Sequence, residues 1–300
     1  MNIAITGGTG FIGSALTGYL TGLGHHVYIL TRNSTSKQNK DLITFVEWLH
    51  PDSRPEDHLP VLNAIVNLAG TSINKRWTAE NKKAILQSRL EATGEILRVI
   101  RALDHKPDVL LNASAVGWYG TSTTAEFTEN STPVSRDFLQ YVCQQWEKEA
   151  GRAEEEGVRT VFARFGLILD DSEGALPLMM LPYKLFAGGP VGTGRQWYSW
   201  VHLQDVIQML HLVLTHKNVE GPLNITAPNP ERMKDFGKTL GNKLNRPHWA
   251  PVPSFFIRNL LGEMSLLILE GQKVIPQKAL AQGYTFTYPT LDKALHHITS

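Results

Sequence analysis

The stretch NIAITGGTGFIG, residues 2–13, decides the reading of this 300-residue chain. Residues 2–6 are a short apolar run of strand character. Gly7, Gly10 and Gly13 follow three apart, and from Phe11 the apolar positions Ile12, Leu16, Leu20 and Leu23 recur at three and four, the spacing of a helix. Three glycines between a strand and a helix suit the binding of a pyrophosphate. The first permits the tight turn, the second lets backbone approach the phosphates, and the third lets the helix pack on the strand. The helix N-terminus then presents free N–H groups and a partial positive charge. A glycine-rich turn with no ligand is the alternative, and it is disfavoured by the position of the motif.

Outward from this motif the chain alternates. Gly24 stops the first helix, and residues 27–31 read as a second strand. Further strands are expected at 43–46, 64–68, 109–114 and 160–164, with helices at 79–103 and 137–156, the latter ended by Gly157. The pattern predicts an α/β fold, a Rossmann-type doubly wound parallel sheet whose apolar strands are covered on both faces. After residue 170 the rhythm breaks. Residues 174–200 are rich in Gly, Pro and aromatics, with a short helix around 177–186, and are expected to contribute to a substrate cleft. A helix at 203–216 and a strand at 223–226 could return to the sheet, and a small, mostly helical part follows. Two domains are therefore expected, 1–228 and 229–300.

Composition narrows the classes. Lys and Arg total 29 and Asp and Glu 28, a net charge of +1, so the broad basic field of a nonspecific nucleic-acid binder is missing. The single cysteine, Cys143, excludes an internal disulfide and a zinc site of several thiolates. Eleven histidines show no paired ligand spacing, so no metal site is expected. No basic leader precedes Ile3-Ala4-Ile5, and no window of about 20 apolar residues occurs. The expectation is a cytoplasmic protein with a small-molecule substrate and neither nucleic acid nor membrane as partner; a homodimer stays open.

The second strand chooses between dinucleotides. A site for NAD usually carries Asp or Glu at this strand's end, about 20 residues beyond the glycines, to bind the ribose 2′-OH. Here the sequence is Thr31-Arg32-Asn33-Ser34. Arg32 can pair with a 2′-phosphate that a carboxylate would repel, which favours NADP(H).

TGGTGFIG at 6–13 and NLAG at 67–70 together resemble the extended short-chain dehydrogenase/reductases. Further blocks narrow the likeness: SRLEAT at 88–93, SAVGWYG at 114–120, RFGLIL at 164–169, GGPVGTGRQWYSWVHLQDV at 188–206 and EGQKVIPQKALAQGYTFTYPTL at 270–291. These resemble the YfcH-like "epimerase family proteins" within the NAD-dependent epimerase/dehydratase family. The resemblance implies a Rossmann domain with a small C-terminal domain of unassigned role, and NADP(H) held by the glycine loop (Gly7, Thr9, Gly10, Phe11, Ile12, Gly13), by Thr31 and Arg32, and by Leu68, Ala69 and Gly70. Arg89 matches an arginine of the family's SR motif, and Arg164 to Leu167 the loop beside the nicotinamide.

Such enzymes typically use Tyr-x-x-x-Lys, a proton donor and the lysine that lowers its pKa from the same helix face. None of the eight tyrosines has Lys four residues on; the helix where the pair belongs carries Cys143, Trp146 and Glu147. The remaining catalytic candidates are Ser114, at the end of the fifth strand, and Tyr119, five residues later, expected to reach the same cleft. Arg195 with Trp197, Tyr198 and Trp200 could clamp an anionic substrate or pack on the C-terminal part, and His202 is expected to pair structurally with Asp205. Two functions fit: an NADP-dependent oxidoreductase or epimerase acting on an unidentified small molecule, or a non-catalytic NADP(H)-binding regulatory module.

Overall fold

The computed structural model describes residues 1–34, 37–134 and 137–300. Its centre is a parallel sheet of seven strands: β1 (Asn2–Thr6), β2 (His26–Thr31), β3 (Ile43–Glu47), β4 (Ala64–Asn67), β5 (Val109–Ala115), β6 (Arg159–Phe165) and β7 (Gly221–Ile225). The spatial order is β7-β6-β5-β4-β1-β2-β3. β1 pairs with β2 on one side and β4 on the other, so the strand order reverses there. At such a switch point a crevice opens beyond the carboxyl ends of the strands. The strand at 221–225 does return to the sheet, as its edge beside β6.

The main helices are α1 (Phe11–Gly22), α2 (Ala79–Ala102), α3 (Phe138–Ala150), α4 (Leu176–Lys184), α5 (Leu203–Thr215), α6 (Met233–Lys243), α7 (Ser254–Leu261) and α8 (Leu291–Thr299). Successive strand side chains face opposite ways. Ile3, Ile5 and Val66 meet Leu16 and Leu20 of α1 and Val206 and Leu210 of α5 on one face. Ala4, Ile65 and Leu110 meet Ile96 and Ile100 of α2 on the other. This double burial explains why the strands carry apolar residues at consecutive positions rather than alternating ones.

The C-terminal part is woven into the first. Glu231–Arg232 pairs antiparallel with Trp197–Tyr198, and Lys273–Val274 pairs with Glu126–Phe127. Phe236 and Leu240 of α6 and Leu295 of α8 share a core with Trp200 and Met180. Asp205, at the start of α5 and fully buried, receives the Tyr284 hydroxyl at 2.8 Å and the backbone N–H groups of Thr287 and Tyr288 at 2.8 and 2.9 Å. The expected pairing of Asp205 with His202 is replaced by this one. His202 instead caps α5, accepting the Gln204 N–H on Nδ1 at 3.0 Å, while its Nε2 lies 3.2 Å from His297 Nδ1.

Burial, reinforced by the His297 charge and opposed by Asp170, pushes the His202 pKa down from 6.5 to about 4. Between those values the unfolded chain binds the proton that the folded protein refuses, so stability is lost as pH falls through that window. His202→Gln should remove part of this slope, on the order of 2 kcal/mol across the window. Urea unfolding of both proteins at pH 7 and pH 4.5 measures it, and equal slopes would contradict the assignment.

Candidate functional site

The glycine loop is a cradle with no room for side chains. Gly7 has φ +65°, and a Cβ there would stand 2.8 Å from the Leu68 carbonyl oxygen. A Cβ on Gly13 would stand 2.2 Å from the carbonyl oxygen of Gly7, so only glycine lets α1 start this close to β1. No side chain caps α1 and no acidic residue occupies its first turn. The amide end of the helix is thus kept clear for an anion. Thr9 is exposed, Ile12 packs against the core, and the Phe11 ring abuts Gly174, where a Cβ would come within 3.2 Å of it. The segment after Leu169 therefore rests on the start of α1.

A buried polar chain sets the opposite wall. Thr6 donates its hydroxyl to Asn67 Oδ1 at 2.7 Å and accepts the N–H groups of Leu68 and Ala69 at 3.0 and 3.1 Å. Asn67 donates to Asn112 at 2.7 Å and to Thr93 at 3.1 Å, and Thr93 accepts the Trp146 indole N–H at 3.0 Å. The chain locks the ends of β1, β4 and β5 to α2 and α3. It also consumes the amides of Leu68 and Ala69. Sequence reasoning assigned these four no role; Thr6, Asn67 and Thr93 lie in the motif blocks at 6–13, 67–70 and 88–93, and Asn112 interrupts an apolar strand.

The expected binding residues fall into distinct positions. Thr31 ends β2, and Arg32 directly after it is exposed, with no carboxylate paired to it among the described residues. Arg89, on α2, lies against Gly70 and over the Trp146 ring at 4.9 Å, and donates to the carbonyls of Thr71 and Ile85 at 3.1 and 2.9 Å. Burial lowers its pKa, and among the described residues no carboxylate bonds to it. Leu167 gives its N–H to the Ser199 carbonyl at 2.8 Å and is partly buried. The aromatics of the 188–202 segment are packed: Trp200 is fully buried with its indole N–H on Asn229, and Trp197 is covered by Arg232 at 3.7 Å.

A second cluster forms where β5, β6 and α3 converge. Ser114 and Arg164 are register partners on adjacent strands. Ser114 donates its hydroxyl to Glu147 Oε1 at 2.6 Å. Arg164 grips the same carboxylate with two parallel bonds, Nε to Oε1 and Nη2 to Oε2, both 2.8 Å. All three residues are buried. Burial alone would lower the Arg164 pKa, but the bonds to Glu147 outweigh it and raise it, so the guanidinium stays charged. It stacks on Trp118 at 3.6 Å, and its buried Nη1 has no acceptor. The Ser114–Glu147 contact is the feature sequence reasoning left unspecified.

Tyr119 does not join Ser114. A 3-10 turn at Val116–Tyr119 swings the ring inward, where it is fully buried, stacked on Phe127 and beside Val274. Its hydroxyl donates to Asn224 Oδ1 at 2.7 Å, and burial pushes its pKa up. Cys143, one helical turn before Glu147, is buried as well, and desolvation pushes its thiol up to about 12. At that value it is no nucleophile at neutral pH. Among the described residues no three His, Cys, Asp or Glu are grouped to hold a metal ion. Among the described residues no helix is long and apolar enough to cross a membrane.

The fold, the glycine cradle and the comparisons agree on the class. The family model described as "NAD dependent epimerase/dehydratase family" matches residues 3–226, and a domain of unknown function, DUF1731, matches 252–298. The chain belongs to the NAD-dependent epimerase/dehydratase family. Among its relatives, an epimerase family protein of Bacillus subtilis is 52% identical over 298 residues, spanning 99% of this chain and 98% of the relative. The crystal structure of the human epimerase family protein SDR39U1 with NADPH shares 35% identity, with a TM-score of 0.89 over 100% of this chain and 99% of that one. A nucleoside-diphosphate sugar epimerase from Corynebacterium glutamicum shares 29% identity, with a TM-score of 0.79, over 100% of this chain and 58% of that chain.

Proposed function

We propose that the protein binds NADP(H) on the glycine loop and uses it for reversible oxidation of a hydroxyl group on a small molecule, as an atypical oxidoreductase or epimerase. The cradle at Gly7 and Gly13 and the clear helix end suit a diphosphate; the exposed, unpaired Arg32 suits a 2′-phosphate. The human relative solved with NADPH supports the same choice. The nicotinamide, when bound, accepts or returns a hydride at the substrate carbon.

The observation that carries the reaction is the Ser114–Glu147–Arg164 chain. Because the Ser114 hydroxyl donates to the carboxylate, its oxygen is oriented as an acceptor. A substrate hydroxyl donates a hydrogen bond to Ser114 Oγ, whose own bond to the Glu147 carboxylate fixes its direction, and the proton released on oxidation leaves to solvent. Arg164 fixes the carboxylate and compensates its charge. Trp118 and Tyr119 are positioning residues that wall the guanidinium. Glu147 and Arg164 thus act as positioning residues for the Ser114 hydroxyl. A second reading, NADP(H) binding without turnover, is favoured by the buried Tyr119 and the missing pair.

Two measurements separate these readings. Titration should show NADPH bound more tightly than NADH, and Arg32→Ala should weaken NADPH about 10- to 100-fold while leaving NADH unchanged. Equal affinities in the unaltered protein would defeat the NADP assignment. NADPH oxidation followed over a panel of carbonyl compounds should fall about 10²- to 10⁴-fold in Ser114→Ala. Turnover indifferent to that change would remove Ser114 from the mechanism; tight binding with no turnover on any compound would favour the second reading.

A further inference from the structure

Exposed apolar side chains recur in two segments remote in sequence from the glycine loop. Leu178, Leu181 and Leu185 recur at three and four along α4 and its end, each more than half exposed, and Phe186 follows. Trp249, Phe255, Phe256 and Leu260 are exposed to the same degree. Burying none of its residues fully, α7 is an apolar helix left on the outside. The two segments are stitched together. The indole N–H of Trp249 donates to the Phe186 carbonyl at 3.1 Å, and the backbone N–H groups of Trp249 and Ala250 donate to Gly188 at 2.9 and 3.0 Å. Val252 donates to Pro190, and Gly192 to Val252, both at 2.9 Å, just before α7 begins.

Charge identifies what covers this face. Residues 174–194 and 241–262 contain no Asp or Glu, in a chain that has 28 of them. They contain Lys184, Lys243, Arg246 and Arg258; Lys243 is paired with Asp292, Arg258 lines a cleft with Asp137, Glu263 and Glu270, and no carboxylate is paired with Lys184 or Arg246 among the described residues. Arg246 lies over the Phe186 ring at 4.4 Å, which puts a cation at the edge of the apolar surface. Two copies meeting here would oppose cations to cations, which argues against self-association. Aromatic and leucine side chains framed by Lys and Arg match an interface of acyl chains below anionic headgroups.

We propose that this face docks on an anionic lipid surface, so that the protein lies on a bilayer without crossing it. The expectation of no membrane partner rested on the missing apolar span, which is a different property: a face assembled from residues 178–186 and 249–260 contains no window of that length.

Co-sedimentation of the full chain with vesicles tests this. Vesicles of phosphatidylcholine containing phosphatidylglycerol should pellet the protein at low salt, pure phosphatidylcholine vesicles should retain far less, and raised salt should release it. Phe255→Ser with Phe256→Ser should abolish pelleting. Lys184→Gln and Arg258→Gln should each weaken it about fivefold. Unchanged unfolding temperature and NADPH affinity in these variants would show that the fold is intact. No partition onto anionic vesicles, or partition indifferent to the Phe substitutions, overturns the proposal. So does a dimer in sedimentation equilibrium that the same substitutions dissociate, since a second copy would then occupy the face.

Discussion

Glu147→Gln is expected to lower stability by about 3–5 kcal/mol and the unfolding temperature by roughly 5–15 °C. The carboxylate accepts three hydrogen bonds in a buried cluster, two of them from a guanidinium that keeps its charge. An amide offers one acceptor oxygen and no charge, so Arg164 would remain buried and uncompensated. Any NADPH-linked turnover should fall, because Ser114 loses the carboxylate that orients its hydroxyl. The companion test is the double replacement Glu147→Met with Arg164→Met. Exchanging both charges for apolar side chains removes the orphan, and much of the lost stability should return while activity does not. Thermal unfolding and NADPH binding of the single and double variants measure this. A single variant as stable as the parent would show that the ion pair is not the tightly coupled unit its geometry describes.

Gly13→Ala is expected to weaken NADPH binding about a hundredfold. The added Cβ would overlap the Gly7 carbonyl oxygen, at 2.2 Å, and backbone cannot rotate aside as a side-chain tip could. The first turn of α1 must move away from β1, and the loop loses alignment of one or two amide bonds to phosphate, each worth about 1.5–3 kcal/mol. Overpacking adds about 1–3 kcal/mol of lost stability. Gly18, in the same helix with nothing within 4 Å of its Cβ position, is the control. Gly18→Ala should stabilise by about 0.5–1 kcal/mol and leave binding alone. Calorimetric titration of the two variants with NADPH distinguishes a steric effect at one position from a general effect of removing helix glycines.

The fold was legible because apolar runs with turn signals recur between helical periods from residue 2 to residue 165. Boundaries agreed to within a few residues, as at α2, expected at 79–103 and found at Ala79–Ala102. β7 was harder to place, because a loop-rich stretch separates it from its partner β6, and only pairing across 60 residues reveals it. The nucleotide end of the site was legible for the same local reason: turn, helix and glycine spacing sit within 12 residues. The Ser114 end was not. Ser114, Glu147 and Arg164 come from a strand, a helix and another strand, and none has a neighbour in sequence that hints at the others. Cys143 and Glu147, four apart on the helix where such a pair belongs, were the available clue. Tyr119 misled because its distance from Ser114 in sequence is short, yet one 3-10 turn reverses its direction.

Asp205 carries a consequence for how the chain assembles. Its three donors lie between residues 284 and 288, so one short segment satisfies the whole carboxylate at the head of α5. Closing that segment over it exchanges hydration for three bonds in one step, and brings α8 and its histidine against His202. The segment at 284–288 therefore acts as a latch that fastens the C-terminal part to the helix beside the nucleotide-binding sheet.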